Sequence, residues 1–136
     1  MTMQRIAMWL RYFVTVSAVA MLGMALPAVA GPLDGKTFAG EFGNKGSVKP
    51  IDKDELIFKD GKFESSFCRS TGFGTAPYTA TAQGNTIIFE SEIANAQGQK
   101  LHWKGTVKGS ALEGTITSSV PGQPRAEQWV KAKLKK

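Results

Sequence analysis

Three glycine-containing turns of two residues constrain the fold of this chain more than any other feature. They are Asp60-Gly61, Gly84-Asn85 and Gly109-Ser110, and each separates two segments in which apolar and polar residues alternate. Two-residue turns of this kind join antiparallel strands and fix their register. In the registers that they impose, the apolar residues of each hairpin share one face, whereas a shift of one residue would turn them outward. The sequence therefore predicts three β-hairpins, each with one apolar face.

Alternation and turn residues also delimit the other strands. The predicted strands span 37–42, 54–59, 62–69, 76–82, 86–93, 100–107, 111–118 and 127–134. No sustained helical period follows residue 31, so the fold class is all-β. Consecutive pairing of eight short strands predicts an eight-stranded antiparallel up-and-down meander barrel, because closure removes the exposed sheet edges. A two-sheet sandwich is the alternative.

Two glycines and a tryptophan determine how the last three predicted strands pack. Gly105 falls opposite Gly114, and two positions without side chains across a strand pair allow sharp coiling and leave room for the neighbouring Trp103. In the last strand, Val130 and Leu134 face inward, which turns Trp129 outward. Trp129 then covers an edge of the barrel, unless the alternation in this strand is assigned the wrong way round.

Residues 1–30 have the three parts of a secretory signal peptide. Arg5 and Arg11 precede an apolar run over 12–26, and small residues stand at the two positions read before Gly31. The apolar run is shorter than the roughly 20 residues of a membrane-spanning helix. We therefore expect a cleavable signal-peptide helix over 1–30, a single barrel domain over 31–136, and an exported protein, periplasmic or secreted, without a membrane anchor after cleavage. An uncleaved anchor is the alternative.

The net charge and the single cysteine indicate which partners and which covalent cross-links this chain can have. The chain has 17 Lys and Arg against 11 Asp and Glu, a formal net charge of +6, and several of these lysines lie at its very end. A basic end of this kind can meet nucleic acid or anionic lipid, but it more often only keeps a protein soluble. We expect no nucleic-acid partner. Cys68 is the single cysteine, so the chain has no internal disulfide and depends on its core for stability.

The predicted connections divide the barrel into two different ends. The three tight turns lie together at one end, here called the closed end. The longer connections lie at the opposite, open end, and they span 43–53, 70–75, 94–99 and 119–126. Loops at the mouth of a barrel are a common place for a binding site.

Inward positions near the open end predict the residues of such a site. The predicted polar contacts are Arg69, Tyr78, Ser91 and Ser118, and the predicted apolar walls are Phe67, Leu101 and Trp103. A guanidinium at position 69 would suit a carboxylate or phosphate. Alternatively, Arg69 lies beyond the strand end and extends into water. A barrel of eight strands is either filled by its own side chains or holds one small ligand.

The chain resembles the calycin-like barrels of lipocalin and avidin type at the level of strand order. The resemblance is carried by Gly35-Lys36-Thr37-Phe38 at the start of the first strand and by the hairpin over 103–116. The resemblance implies an exported ligand-binding protein. Lipocalins usually open with Gly-x-Trp, which this chain lacks, so no binding residue is carried over. A looser resemblance is to periplasmic protease inhibitors of bacteria, small eight-stranded barrels that act through an extended amino-terminal arm. Residues 31–34 would be that arm, or else an ordinary frayed end.

The sequence thus favours a binding protein that holds a small, partly apolar, anionic ligand at the open end of the barrel. The alternative is a protein-interaction module of the cell envelope, inhibitor-like or an assembly partner, with a filled barrel. No catalytic constellation stands out, because the single histidine, His102, is predicted on the outer face among carboxylates. We also expect no metal and no cofactor, since no second His or Cys accompanies His102 and no phosphate-binding glycine motif is present.

Overall fold

A computed structural model describes residues 31–136, and the predicted signal peptide lies outside the described residues. The elements are β1 (Thr37–Asn44), β2 (Pro50–Lys59), β3 (Lys62–Ser65), α1 (Ser66–Ser70), β4 (Ala76–Gln83), β5 (Thr86–Ala94), β6 (Lys100–Lys108), β7 (Ala111–Ser119) and β8 (Ala126–Leu134). Over residues 31–136, no helix is long and apolar enough to span a membrane.

The eight strands form a closed antiparallel barrel in up-and-down order, as predicted. All three hairpins have the predicted registers. Phe58 lies opposite Phe63, Ala80 lies opposite Phe89, and Gly105 lies opposite Gly114. β8 pairs with β1 along seven residue pairs, from Phe38 with Leu134 to Asn44 with Gln128, and this pairing closes the barrel. The sandwich alternative is therefore wrong.

The prediction of a strand over 62–69 was wrong in its second half. β3 ends at Ser65, which pairs with Leu56, and the chain then turns into the five-residue helix α1. Ser65 is the helix N-cap, and its hydroxyl accepts a hydrogen bond from the backbone N–H of Cys68 at 3.2 Å. A serine in this position competes with strand continuation, because its side chain satisfies a helical N–H that has no other partner. As a result β3 pairs with β4 at only two positions.

Aromatic side chains fill the closed half of the barrel. Phe58 lies at their centre, and its ring centroid is between 5.0 and 6.0 Å from those of Phe38, Phe63, Tyr78 and Phe89. The space beside Gly105 is occupied by the Phe89 ring rather than by Trp103, since a Cβ at position 105 would lie 2.6 Å from Phe89 Cε1. Aromatic rings thus pack against one another through the interior of this half of the barrel.

The amino-terminal turn, residues 31–36, packs against the closed end. Leu33 is completely buried. The backbone N–H of Gly35 donates to the carbonyl of Phe58 at 2.8 Å, and the Asp34 carboxylate accepts from the N–H of Gly61 at 2.9 Å. The expectation of an exposed arm or a frayed end over 31–34 was therefore wrong, because a buried leucine and a carboxylate on a hairpin turn hold this segment in place.

Trp129 lies on the outer surface, as the alternation of β8 predicts. Its indole N–H donates to the carbonyl of Ser47 at 2.6 Å, and its ring packs against Gly43, where a Cβ would collide with it. Trp129 thus holds the β1–β2 connection against the outside of β8 through a hydrogen bond and a packing contact. The inward residues of β8 are Val130 and Ala132, both buried, and the partly buried Leu134.

Candidate functional site

A cavity of about 250 Å³ lies inside the open end of the barrel. Its walls come from β1, β2, β6, β7, β8, α1 and the connection after α1. The lining residues are Phe42, Ile51, Asp54, Phe67, Cys68, Thr71, Phe73, Leu101, Trp103, Ile116 and Gln128. Most of these side chains are apolar, as is usual for a ligand site that has a few polar groups to set orientation.

Trp103 separates this cavity from the filled half of the barrel. Its ring lies 5.0 Å from that of Phe63 on the core side, and the same side chain lines the cavity. Trp103 is completely buried, and its indole N–H has no hydrogen-bond acceptor among residues 31–136. A buried donor without an acceptor is costly, by about 1–3 kcal/mol. This group is therefore the most conspicuous unsatisfied polar atom at the site.

Asp54 supplies the carboxylate of the cavity and also holds α1 in place. Ser65 Oγ donates to one carboxylate oxygen at 2.5 Å. The other oxygen accepts from Ser66 Oγ at 3.2 Å and from the backbone N–H of Phe67 at 3.0 Å. The β2–β3 register would have placed Phe67 directly opposite Asp54 had β3 continued. The β2–β3 backbone pairing stops where the chain turns into α1. The Asp54 carboxylate then accepts the hydrogen bonds of the residues at the start of α1.

The two titratable groups of the cavity are both shifted toward their neutral forms. Burial raises the pKa of Asp54, although the donors from Phe67, Ser65 and Ser66 oppose the shift. Burial also raises the pKa of the Cys68 thiol to about 11, and the nearby Asp54 carboxylate adds to this shift. Cys68 is a free thiol that is 8% exposed. At neutral pH it is a protonated, weakly polar part of the wall and not a nucleophile.

Three of the seven residues predicted for the site line this cavity, namely Phe67, Leu101 and Trp103. Phe67 does so from α1 rather than from a strand, and its ring lies 4.9 Å from that of Phe42. Ile116, which pairs with Trp103, also lines it. Leu101 and Trp103 on β6 and Ile116 on β7 thus form one side of the cavity.

The four predicted polar contacts lie elsewhere. Arg69 is on α1 with its side chain 66% exposed, and its guanidinium lies 2.9 Å from the Glu64 carboxylate. Tyr78 lies toward the closed end, where its hydroxyl donates to Asp34 at 2.7 Å and accepts from the N–H of Leu33. Ser91 donates to the carbonyl of Pro77, and Ser118 donates to that of Ala126. None of the four lines the cavity.

The position of Arg69 matters most for the charge of the ligand that the cavity can hold. The expectation that it faces inward assumed that β3 continues through residue 69, and α1 removes that assumption. The residues that do line the cavity include one carboxyl group and no Lys or Arg. An anionic ligand would therefore find no counter-charge there, and it would face the Asp54 carboxylate.

Several lining residues were missed by sequence reasoning, and two of them had a usable signal. Asp54 shares the inward alternation of Leu56 and Phe58, and Gln128 shares that of Val130. An acidic residue in an apolar series of this kind is a sign of a buried polar site. Cys68, Thr71 and Phe73 had no such signal, because α1 and the connection after it have no strand alternation.

Two concave regions on the outer surface of residues 31–136 are lined largely by charged side chains. The larger, about 820 Å³, lies over β7, β8, β1 and β2, where the Lys135 ammonium lies 3.0 Å from Glu55. The smaller contains His102, whose ring nitrogens lie 3.2 Å from Glu90 and 3.8 Å from Glu92. His102 is outside the barrel wall and Cys68 is inside it, so the two do not form a catalytic pair.

Within the described part of the chain, no group of three or more His, Cys, Asp or Glu side chains could hold a metal ion. A comparison of the chain with protein-family models, with curated proteins and with solved structures found no significant match.

Proposed function

We propose that this protein is an exported, calycin-like binding protein that holds one small, predominantly apolar molecule in the open-end cavity. The observation that carries the proposal is the division of the barrel interior into a filled half and a cavity of about 250 Å³. An interior evolved for stability alone would be packed throughout, because each unfilled volume costs free energy. The closed half of this barrel is packed with aromatic side chains, whereas the open half contains the cavity.

The cavity volume limits the size of the ligand. At about 30 Å³ per non-hydrogen atom, a volume of about 250 Å³ holds on the order of eight such atoms. Drug-sized ligands occupy pockets of about 300–1,000 Å³. The part of the proposed ligand that lies inside the cavity is therefore the size of a single ring.

Titration with toluene, which has seven carbon atoms, tests the proposal. Backbone amide chemical shifts are followed by nuclear magnetic resonance. We expect saturable shifts at residues around the cavity, such as Cys68, Leu101 and Gln128, and no shift at Phe38 or Leu112 in the filled half. Leu101→Trp should occupy the cavity and abolish the shifts. Thr106→Trp, an exposed outward position on the same strand, is the matched control and should retain them.

Absence of saturable shifts in the wild-type protein, or shifts scattered over the outer surface, would refute the binding proposal. That result would favour the second candidate, a protein-interaction module of the cell envelope. One observation supports that candidate, namely that Val48 in the β1–β2 connection is 97% exposed and Ile51 at the start of β2 is 50% exposed. An inhibitor-like arm at 31–34 is not part of it, because Leu33 is buried.

A further inference from the structure

The hydrogen-bonding groups that line the open-end cavity differ in whether they already have partners. Both oxygens of the Asp54 carboxylate accept hydrogen bonds from α1 or its N-cap. Burial keeps the Cys68 thiol protonated, and an S–H group is only a weak hydrogen-bond donor. The indole N–H of Trp103 is a good donor, is completely buried, and has no acceptor among residues 31–136. Trp103 is thus the cavity-lining residue whose buried polar atom has no hydrogen-bond partner among residues 31–136.

Charge adds a second restriction. The lining residues include no Lys or Arg, so a carboxylate or phosphate would be buried without a counter-charge. Burying an unpaired ion costs far more than one hydrogen bond returns. A cation would have only the Asp54 carboxylate, whose acceptor sites are engaged by Ser65, Ser66 and Phe67. These conditions favour an uncharged molecule.

We infer that the ligand of this cavity is an uncharged, compact molecule with one hydrogen-bond acceptor, such as a carbonyl oxygen, which receives the Trp103 indole N–H. This inference rests on the proposed function, since it specifies the chemistry of the molecule in the same cavity. The apolar part of the molecule lies against Phe67, Leu101 and Ile116. Its acceptor oxygen provides the partner that the Trp103 indole N–H lacks among residues 31–136.

Two probes of the same shape separate this inference from general hydrophobic binding. Cyclohexanone and methylenecyclohexane each have seven non-hydrogen atoms and differ in a carbonyl oxygen against a methylene carbon. The dissociation constants of both are measured for the wild-type protein, for Trp103→Phe and for Ile116→Val. Trp103→Phe removes the donor and retains an aromatic ring. Ile116→Val enlarges the cavity and leaves the donor in place, so it is the matched control.

We expect the preference for the ketone over the alkene to fall about fivefold in Trp103→Phe, which is about 1 kcal/mol at 1.4 kcal/mol per tenfold. The preference should be unchanged in Ile116→Val. Because each preference compares two probes in one protein, the extra volume in Trp103→Phe affects both and cancels. Cyclohexanecarboxylate should bind at least tenfold more weakly than cyclohexanone at neutral pH, since it would be buried as an unpaired anion.

The indole proton resonance of Trp103 gives an independent readout. It should move downfield when cyclohexanone binds and stay in place when methylenecyclohexane binds. If both probes bind and neither the preference nor the resonance changes as described, the inference is wrong and the binding proposal stands; an ordered water on the indole would produce that outcome. If neither probe binds, the proposed function fails and the inference fails with it.

Discussion

Ser65 Oγ donates a hydrogen bond of 2.5 Å to the carboxylate of Asp54, and both side chains are buried. The same Ser65 oxygen accepts the N–H of Cys68, so one hydroxyl connects β2 to the first turn of α1. This connection lies where β3 leaves the barrel wall. By fixing the start of α1, these hydrogen bonds direct residues 66–73 across the interior of the barrel. Phe67, Cys68, Thr71 and Phe73 therefore line the cavity.

Removing the Asp54 carboxylate should therefore destabilise the fold. Asp54→Ala leaves the donors of Ser65, Ser66 and Phe67 without their acceptor, and we expect a loss of about 3 kcal/mol in the free energy of unfolding. Asp54→Asn keeps one acceptor oxygen and should cost about 1 kcal/mol. Asp52→Ala, an exposed position two residues earlier, is the control and should lie within about 0.5 kcal/mol of wild type. Urea denaturation measures all three, and equal losses at positions 52 and 54 would contradict the assigned role.

The raised pKa of Asp54 makes stability depend on pH in a definite direction. Because burial raises this pKa above 3.8, the folded state binds the proton more tightly than the unfolded chain does. The resulting stabilisation is complete below pH 3.8 and is lost as pH rises through the folded-state pKa. Wild type should accordingly gain stability relative to Asp54→Asn as pH falls toward 3.8. Denaturation of both proteins across this range gives the difference, and a difference that shrank with acidification would show that the donors outweigh burial.

The Cys68 thiol should be nearly inert in the folded protein. With its pKa raised from 9.0 to about 11, the thiolate fraction at pH 8 is about a hundredfold lower than that of an unperturbed thiol. We expect alkylation by iodoacetamide at pH 8 to be at least about a hundredfold slower in the native protein than in the same protein unfolded in urea. Mass spectrometry follows the reaction. Equal rates in the two states would mean that the thiol is neither buried nor shifted.

The amino-terminal turn should contribute substantially to stability. Leu33 is completely buried, so Leu33→Ala removes buried apolar volume and should cost about 3 kcal/mol. Val48→Ala removes a side chain that is 97% exposed and should change stability by less than about 0.5 kcal/mol. Thermal denaturation compares the two variants. A small effect at Leu33 would restore the interpretation of residues 31–34 as a free arm.

The barrel was predictable from the sequence because its evidence is local and repeated. Asp60-Gly61, Gly84-Asn85 and Gly109-Ser110 each fix a register, and each register sends apolar residues inward. The pair of Trp103 with Ile116, and with it one side of the cavity, follows from these turns alone.

The remaining features depend on contacts between residues far apart or on segments too short to show a period. A five-residue helix has no periodicity to detect, so the inward alternation of Phe63 and Ser65 was extended to Arg69, where it no longer holds. The docking of Leu33 depends on the shape of the closed end, which no local pattern encodes. Asp54 was the exception, since its alternation with Leu56 and Phe58 was visible in the sequence.

A crystal structure of the protein under xenon pressure would show whether the open end of the barrel contains an apolar cavity, because xenon enters such cavities and is easily located. We expect xenon inside the open end, between Cys68, Leu101, Trp103 and Ile116, and none among the phenylalanine rings of the closed half. A structure in which side chains fill the open end, with no xenon inside the barrel, would contradict this expectation.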